Sequence, residues 1–82
     1  MRSLIVRALA ASQVRAPRLL DLDACETICH HGVAALQALD GGDAAGTRWH
    51  LCCALAVARG AGLGEPWSRA VRAVSPQSFM LS

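Results

Sequence analysis

Apolar residues are concentrated in two stretches of the chain, residues 22–39 and 49–57, with a glycine-rich interval between them. In the first stretch, one set of positions follows the 3-4-3-4-3 spacing of a helical packing face: Leu22, Cys25, Cys29, Gly32, Leu36 and Leu39. This face is widened by Ile28, Val33 and Ala35. The pattern predicts a helix that is capped by Asp21 or Asp23 and ends at residues 41–42, where glycine suits the left-handed terminal position.

The second stretch predicts a helix that is apolar on nearly every side, and helices of this kind are usually central in a fold. Asp43 and Thr47 can both cap this helix. Thr47 is favoured, because Gly46 interrupts any helix that starts at Asp43. The helix is expected to end after Arg59, where three glycines follow within five residues.

A third, shorter helix is predicted to start near Pro66, which fits a first helical turn, and to end at Ser75-Pro76. Its inner face would contain Trp67, Ala70, Val71 and Val74. The prediction is therefore an all-α, three-helix domain dominated by an antiparallel helical hairpin. The expected division is a basic N-terminal arm or short helix at 1–20, a helical core at 21–76 and an apolar tail at 77–82.

Composition favours a folded, soluble domain with some apolar surface to spare. Hydrophobic residues form 54% of the chain and charged residues 17%, which argues against disorder. A chain of 82 residues has a thin core, so part of this surface is expected to face another protein or a second copy in a homodimer. No uncharged run reaches the roughly 20 residues needed to cross a bilayer.

The first twenty residues lack acidic side chains and resemble an organellar presequence in composition, but an integral or flexible arm is the favoured interpretation. Four cysteines lie inside the apolar helical runs, as reduced core thiols do: Cys25, Cys29, Cys52 and Cys53. A disulfide scaffold would place them in loops. The expected location is therefore a reducing compartment, the cytoplasm.

The cysteines and histidines supply enough ligands for zinc, but the expected geometry does not gather them. A hairpin folded around residues 43–44 pairs positions whose numbers add up to about 87. Cys29 would then face residue 58, and Cys53 would face residue 34. Neither a CxxC nor an HxxxH motif occurs, so no metal and no cofactor is expected.

One catalytic interpretation and one anion-binding interpretation are also weak. Cys25 lies near a helix N-terminus, where a thiol pKa can fall, but a small helical hairpin leaves little room for a catalytic cleft. The segment from Gly60 to Gly64 resembles a glycine-rich anion loop without the lysine and hydroxyl of a P-loop. We expect no catalytic residue and no enzymatic activity.

Part of the chain resembles a group of known proteins. The segment GTRWHLCCALAVARGAGLG and the later WSRAVRAV are similar to short helical accessory proteins of proteobacterial phages and mobile elements. The matching residues are Gly46, Thr47, Trp49, His50, Ala54, Leu55, Val57 and Gly62. The interval from Trp49 to Ala54 is one residue shorter than in that pattern. The resemblance covers about a third of the chain and implies an accessory role, such as disarming a host defence complex.

The sequence therefore predicts a non-enzymatic protein-interaction module, in its sharpest form a phage-type inhibitor of host defence such as an anti-CRISPR. The expected contact residues are Arg2, Arg7, Arg15, Arg18, Trp67, Arg69, Arg72 and Phe79. Both tryptophans also fit a core position, and the arginines also fit a solvated surface. The alternative is a helix-turn-helix-like DNA-binding regulator that uses Arg69 and Arg72, although a net charge of +2 is low for duplex binding.

Overall fold

The computed structural model describes the backbone of residues 2–15 and 22–80, and the side chains of residues 2–13 and 23–74. This part of the chain forms four α-helices: α1 (Arg2–Arg15), α2 (Leu22–Asp40), α3 (Ala44–Gly60) and α4 (Gly64–Met80). The all-α prediction is confirmed. None of these helices combines the length and the apolar character required for a membrane span.

The four helices pack in a closed ring, in which each helix contacts two neighbouring helices. α1 packs against α2, α2 against α3, α3 against α4, and α4 returns to α1. Among the described side chains, eleven apolar residues are buried inside the ring: Ile5, Ala8, Ile28, Ala35, Leu51, Ala54, Leu55, Ala58, Leu63, Trp67 and Ala70. Five of the eleven are alanines, so the helices pack closely and the larger side chains fill most of the interior volume.

The first helix is part of this core, whereas the sequence predicts a three-helix core preceded at 1–20 by a basic arm or short helix. Ile5, Ala8 and Ser12 of α1 are fully buried, at the 3-4 spacing of one helical face. The helix has almost no overall amphipathic signal because Val6, nearly half exposed, lies outside this face. The helical core therefore includes residues of α1, which the sequence prediction places in a separate segment, 1–20.

The packing face of α2 is shifted from the predicted one. Ile28, Gly32 and Ala35 are buried, whereas Cys25 and Cys29 are only partly covered. Val33, expected to widen the inner face, is 48% exposed. The face runs along the neighbouring row of residues because α2 packs on both α1 and α3.

α3 begins at Ala44 and is capped by Asp43, so the predicted start at Thr47 is wrong. The Asp43 carboxylate accepts a hydrogen bond from the Gly46 backbone N–H at 2.8 Å, and Thr47 donates its hydroxyl to the Asp43 carbonyl at 2.7 Å. A Cβ at position 46 would collide with the Asp43 carboxylate. Gly46 therefore makes room for the cap and does not interrupt the helix.

The connections that follow α2 and α3 have the same geometry. Gly42 and Gly62 have φ values of +77° and +76°, as predicted for glycine at a helix end. Asp43 N–H donates to the Ala38 carbonyl at 2.8 Å, and Leu63 N–H donates to the Ala58 carbonyl at 2.7 Å. Each connection is a Schellman turn only three residues long.

α4 continues to Met80, beyond the predicted end at Ser75-Pro76. Proline inside a helix lacks the N–H for one backbone hydrogen bond and crowds the carbonyl four residues earlier, but the backbone stays helical through Pro76. Residues 77–80, assigned from the sequence to an apolar tail, thus have a helical backbone.

Trp67 joins three helices in the middle of the ring. It is fully buried, and its indole N–H donates to the Ser12 hydroxyl at 2.9 Å. Ser12 donates in turn to the Ala8 carbonyl at 2.9 Å. On the other side, the indole lies against Gly32 of α2, where an added Cβ would be 2.8 Å from the Trp67 Cη2. Buried polar groups are therefore satisfied, and no described buried side-chain polar atom lacks a partner.

Replacing Ser12 with alanine is expected to destabilise the fold by about 1–3 kcal/mol, because the buried indole N–H loses its acceptor. The free energy of unfolding from denaturant titration measures the effect. Ser3→Ala is the matched control in the same helix, since Ser3 is exposed, and should change stability by less than about 0.5 kcal/mol. Equal values for the two variants would show that the hydrogen bond to Trp67 contributes nothing.

Replacing Gly32 with alanine is expected to destabilise the fold, although alanine favours helix by about 1 kcal/mol. The added methyl group meets the Leu9 side chain and the Trp67 ring, and overpacking of this kind costs about 1–3 kcal/mol. Leu9 can rotate, but the indole is held by Ser12. Gly60→Ala is the control, since no atom lies within 4 Å of a Cβ there. Thermal unfolding should rank G32A below G60A; the reverse order would contradict close packing at Gly32.

Candidate functional site

The α2–α3 hairpin carries a cluster of four aromatic rings on its surface. Its members are His30, His31, Trp49 and His50, which we call the His–Trp cluster. The ring centroids of His31 and His50 are 5.4 Å apart, and those of Trp49 and His50 are 4.9 Å apart. The His31 and Trp49 rings meet edge to face at 5.9 Å. Aromatic pairs prefer this geometry, so the rings hold one another in place.

The two central histidines are in direct contact through their Nδ1 atoms, which lie 3.1 Å apart. A neutral imidazole has one donor nitrogen and one acceptor nitrogen, so one Nδ1 donates and the other accepts. Burial, followed by the positive charges that His50 and His30 can carry, lowers the pKa of His31 below its usual value. The lowered pKa favours the neutral form of His31, in which its Nδ1 atom can take part in this contact.

Trp49 is the most exposed large apolar residue in the described part of the chain. Its side chain is 59% exposed, whereas its position in an apolar run favours a core location in the sequence. It belongs to a row of exposed uncharged residues on α3 with 4-3-4 spacing: Ala45, Trp49, Cys52 and Ala56. We call this row the outer α3 stripe. A row with this spacing is one face of a helix, and here it faces solvent.

A shallow groove on α2 extends the exposed apolar surface. It is lined by Glu26, Cys29, His30, Val33, Ala34 and Gln37. Val33 is 48% exposed, and the ring of His30 lies 5.5 Å from that of His31, which contacts Trp49. The groove and the outer α3 stripe therefore meet at the His–Trp cluster and form one surface.

The register of the hairpin differs from the predicted one. His31 lies opposite His50, because α3 starts three residues earlier than expected and the connection is correspondingly short. The described residues contain no group of three or more histidine, cysteine, aspartate or glutamate side chains arranged to hold a metal ion. The observed register instead brings together the Nδ1 atoms of His31 and His50, which the predicted register keeps apart.

The Cys25 thiol, considered from the sequence as a nucleophile, has a raised pKa and not a lowered one. All four cysteines are free, and only Cys52 is exposed. Burial, and then the neighbouring Cys29, raise the pKa of the Cys25 thiol. A thiol with a raised pKa is a poor nucleophile at neutral pH, so the lowered pKa considered for a helix N-terminus does not occur at Cys25.

The predicted contact arginines occupy separate places on the molecule. Arg2 pairs with Asp40 at the far end of α2. Arg7 and Arg69 line one groove of about 230 Å³ between α1 and α4, in which Arg69 pairs with Glu65 at 2.9 Å. Arg72 is exposed on α4. Among the contact arginines whose side chains are described, Arg7 of α1 and Arg69 of α4 thus meet across one groove, and Glu65 offsets the charge of Arg69.

The remaining predicted contact residues are not on the described surface. Trp67 is fully buried, so a partner docking on this fold does not reach its ring. Arg15 ends α1 and Phe79 lies in the last turn of α4, but both side chains are outside the described residues. Arg18 also lies outside them.

Sequence reasoning missed the His–Trp cluster because it depends on the hairpin register. One signal was present: Trp49 and His50 are adjacent in an otherwise apolar run, so one of them had to face outward.

No protein-family model matches this chain, and no curated protein sequence or solved structure shows significant similarity to it.

Stability is expected to fall as the pH falls below the ordinary histidine pKa of 6.5. The unfolded chain binds a proton on His31 near that pH, whereas the folded protein, in which the pKa is lowered, does so only at lower pH. The unfolded state thus binds more protons in this window, and acid favours unfolding. His31→Gln should flatten this part of the curve of unfolding free energy against pH. Parallel curves for the two proteins would show that His31 is not responsible.

Proposed function

We propose that this protein is a protein-interaction module that binds a partner through the surface formed by the outer α3 stripe, the His–Trp cluster and the α2 groove. It acts by occupying a partner's surface and not by catalysis. The observation that carries the proposal is the 59% exposure of Trp49 in a row of uncharged residues. Tryptophan is strongly enriched among the residues that dominate binding energies.

The surroundings of Trp49 support binding to a partner. While the indole stays exposed to water, it contributes no burial energy. Insertion into a partner's pocket would remove a large apolar area from solvent. Its edge-to-face contacts with His31 and His50 restrict its orientation before binding. Restricted side chains lose less entropy on association, so the ring is prepared to act as an anchor.

The charges around the stripe favour an acidic partner. α3 contains Arg48 and Arg59 on its exposed side and no acidic residue. A second copy packed stripe against stripe would bring these arginines together, whereas an acidic rim around an apolar pocket complements them. The acidic residue of the proposed surface, Glu26, lies in the α2 groove and not on α3. We therefore propose a different protein, with acidic residues around a tryptophan-sized pocket, as the principal partner. Homodimer formation stays a prediction.

The finer function remains the prediction made from the sequence resemblance. In that interpretation, the partner is a component of a host defence complex and the protein is its phage-type inhibitor. The surface described above fits such a role because an inhibitor needs only to cover a functional face of its target. The same surface would serve any other protein partner of matching shape and charge.

Trp49→Ala is expected to weaken partner binding by at least about thirtyfold, the equivalent of a loss of about 2 kcal/mol that defines a dominant contact. A photoreactive phenylalanine analogue at position 49 first identifies the partner by crosslinking in the native host, and calorimetry with the purified partner then measures affinity. The fold should be retained, because the residue is largely exposed.

Val6→Ala is the matched control, since Val6 is 47% exposed on α1, which is not a neighbour of α3 in the ring. It should bind with unchanged affinity, and the photoreactive residue at position 6 should capture nothing. Arg48→Ala should reduce the association rate and its salt dependence. Equal affinities of W49A and V6A for the crosslinked partner would disprove the proposed surface.

A further inference from the structure

The contact between His31 and His50 has a geometry that a metal ion can use. Their Nδ1 atoms are 3.1 Å apart, and the two residues belong to different helices, so the helical hairpin itself holds the two nitrogens together. His50 is half-buried and Trp49 beside it is exposed, so an ion can reach the pair from solvent. The protein-binding proposal does not use these nitrogens as ligands.

We propose that His31 and His50 bind one divalent transition-metal ion of the nickel and zinc class through their Nδ1 atoms. Zinc–nitrogen bonds are about 2.0–2.1 Å long. Two such bonds to nitrogens 3.1 Å apart enclose an angle of roughly 95–100° at the metal. This lies between the octahedral and tetrahedral values, so both coordination geometries are within reach of small ring rotations.

The chemistry of the donors selects this class of ion. Imidazole nitrogen suits zinc, nickel and copper, whereas calcium and magnesium prefer oxygen ligands. For both Nδ1 atoms to bind the metal, the proton that they share moves to the Nε2 atom of the donating ring, so both rings stay neutral and each Nδ1 offers a lone pair. Because the described residues provide no third ligand, water completes the coordination, and the site is open and exchangeable.

The experiment uses the full chain with nickel chloride or cobalt chloride at neutral pH under reducing conditions without a chelating thiol. Calorimetry is expected to show one ion per chain. His31→Gln and His50→Gln should each weaken binding by more than about tenfold, since loss of a mere second-shell partner already costs that much. His30→Gln is the matched control, because this exposed neighbour is not a ligand and should leave the affinity unchanged.

Trp49 gives an independent readout. Its ring lies 4.9 Å from that of His50 and 5.9 Å from that of His31, so a paramagnetic ion bound between them should quench its fluorescence. Trp49→Phe should remove most of the quenching and keep the calorimetric binding, because Trp49 contacts both histidine rings whereas Trp67 is fully buried in the core.

The cobalt spectrum separates the histidine pair from the four thiols. Nitrogen and water ligation gives only weak visible bands, which is the expected result. Strong thiolate-to-cobalt charge-transfer bands would assign the ion to cysteine and overturn the proposal. Binding that survives both H31Q and H50Q, or no binding by the folded chain, would also overturn it. Since His50 is only partly buried, H50Q gives a second, independent variant, and the test remains decisive even if H31Q fails to fold.

Discussion

The position of Trp67 constrains the rest of the structure. Most of the core consists of alanine and branched aliphatic side chains, which allow close packing but fix few relative positions. The indole is different, because it is large, rigid and tied at one end. Its N–H is held by Ser12 of α1 and its opposite edge lies against Gly32 of α2. The two contacts together fix how far α4 lies from both helices, and so close the ring.

This constraint explains why the helices are easier to predict than their arrangement. The spacing of apolar residues and the glycines at residues 42 and 62 place α2 and the end of α3 correctly. The two tryptophans, by contrast, are placed against the expectation from their neighbours: Trp67, between Pro66 and Ser68, is buried, whereas Trp49, at the start of an apolar run, is 59% exposed. The difference arises from Ser12 and Gly32, which lie 55 and 35 residues away from Trp67 in the sequence.

A single local misinterpretation also hid the candidate site. Gly46 reduces helix propensity, and on that ground alone it predicts a break after Asp43. In the structure its missing side chain is what allows the Asp43 carboxylate to cap α3. With the helix starting at Ala44, the hairpin is shorter and His31 meets His50. α1 was obscured for a different reason: its buried face is narrow and its exposed side includes Val6.

The two Schellman turns restrict how far the helices that they join can move relative to one another. Each connection is three residues long and every one of them is engaged in or next to a helix-ending hydrogen bond. Neither turn contains a residue free to act as a hinge. We therefore expect α2, α3 and α4 to move together as one rigid unit. In the proposed binding, any conformational change would therefore occur in the partner, and the association rate would be set by diffusion and charge.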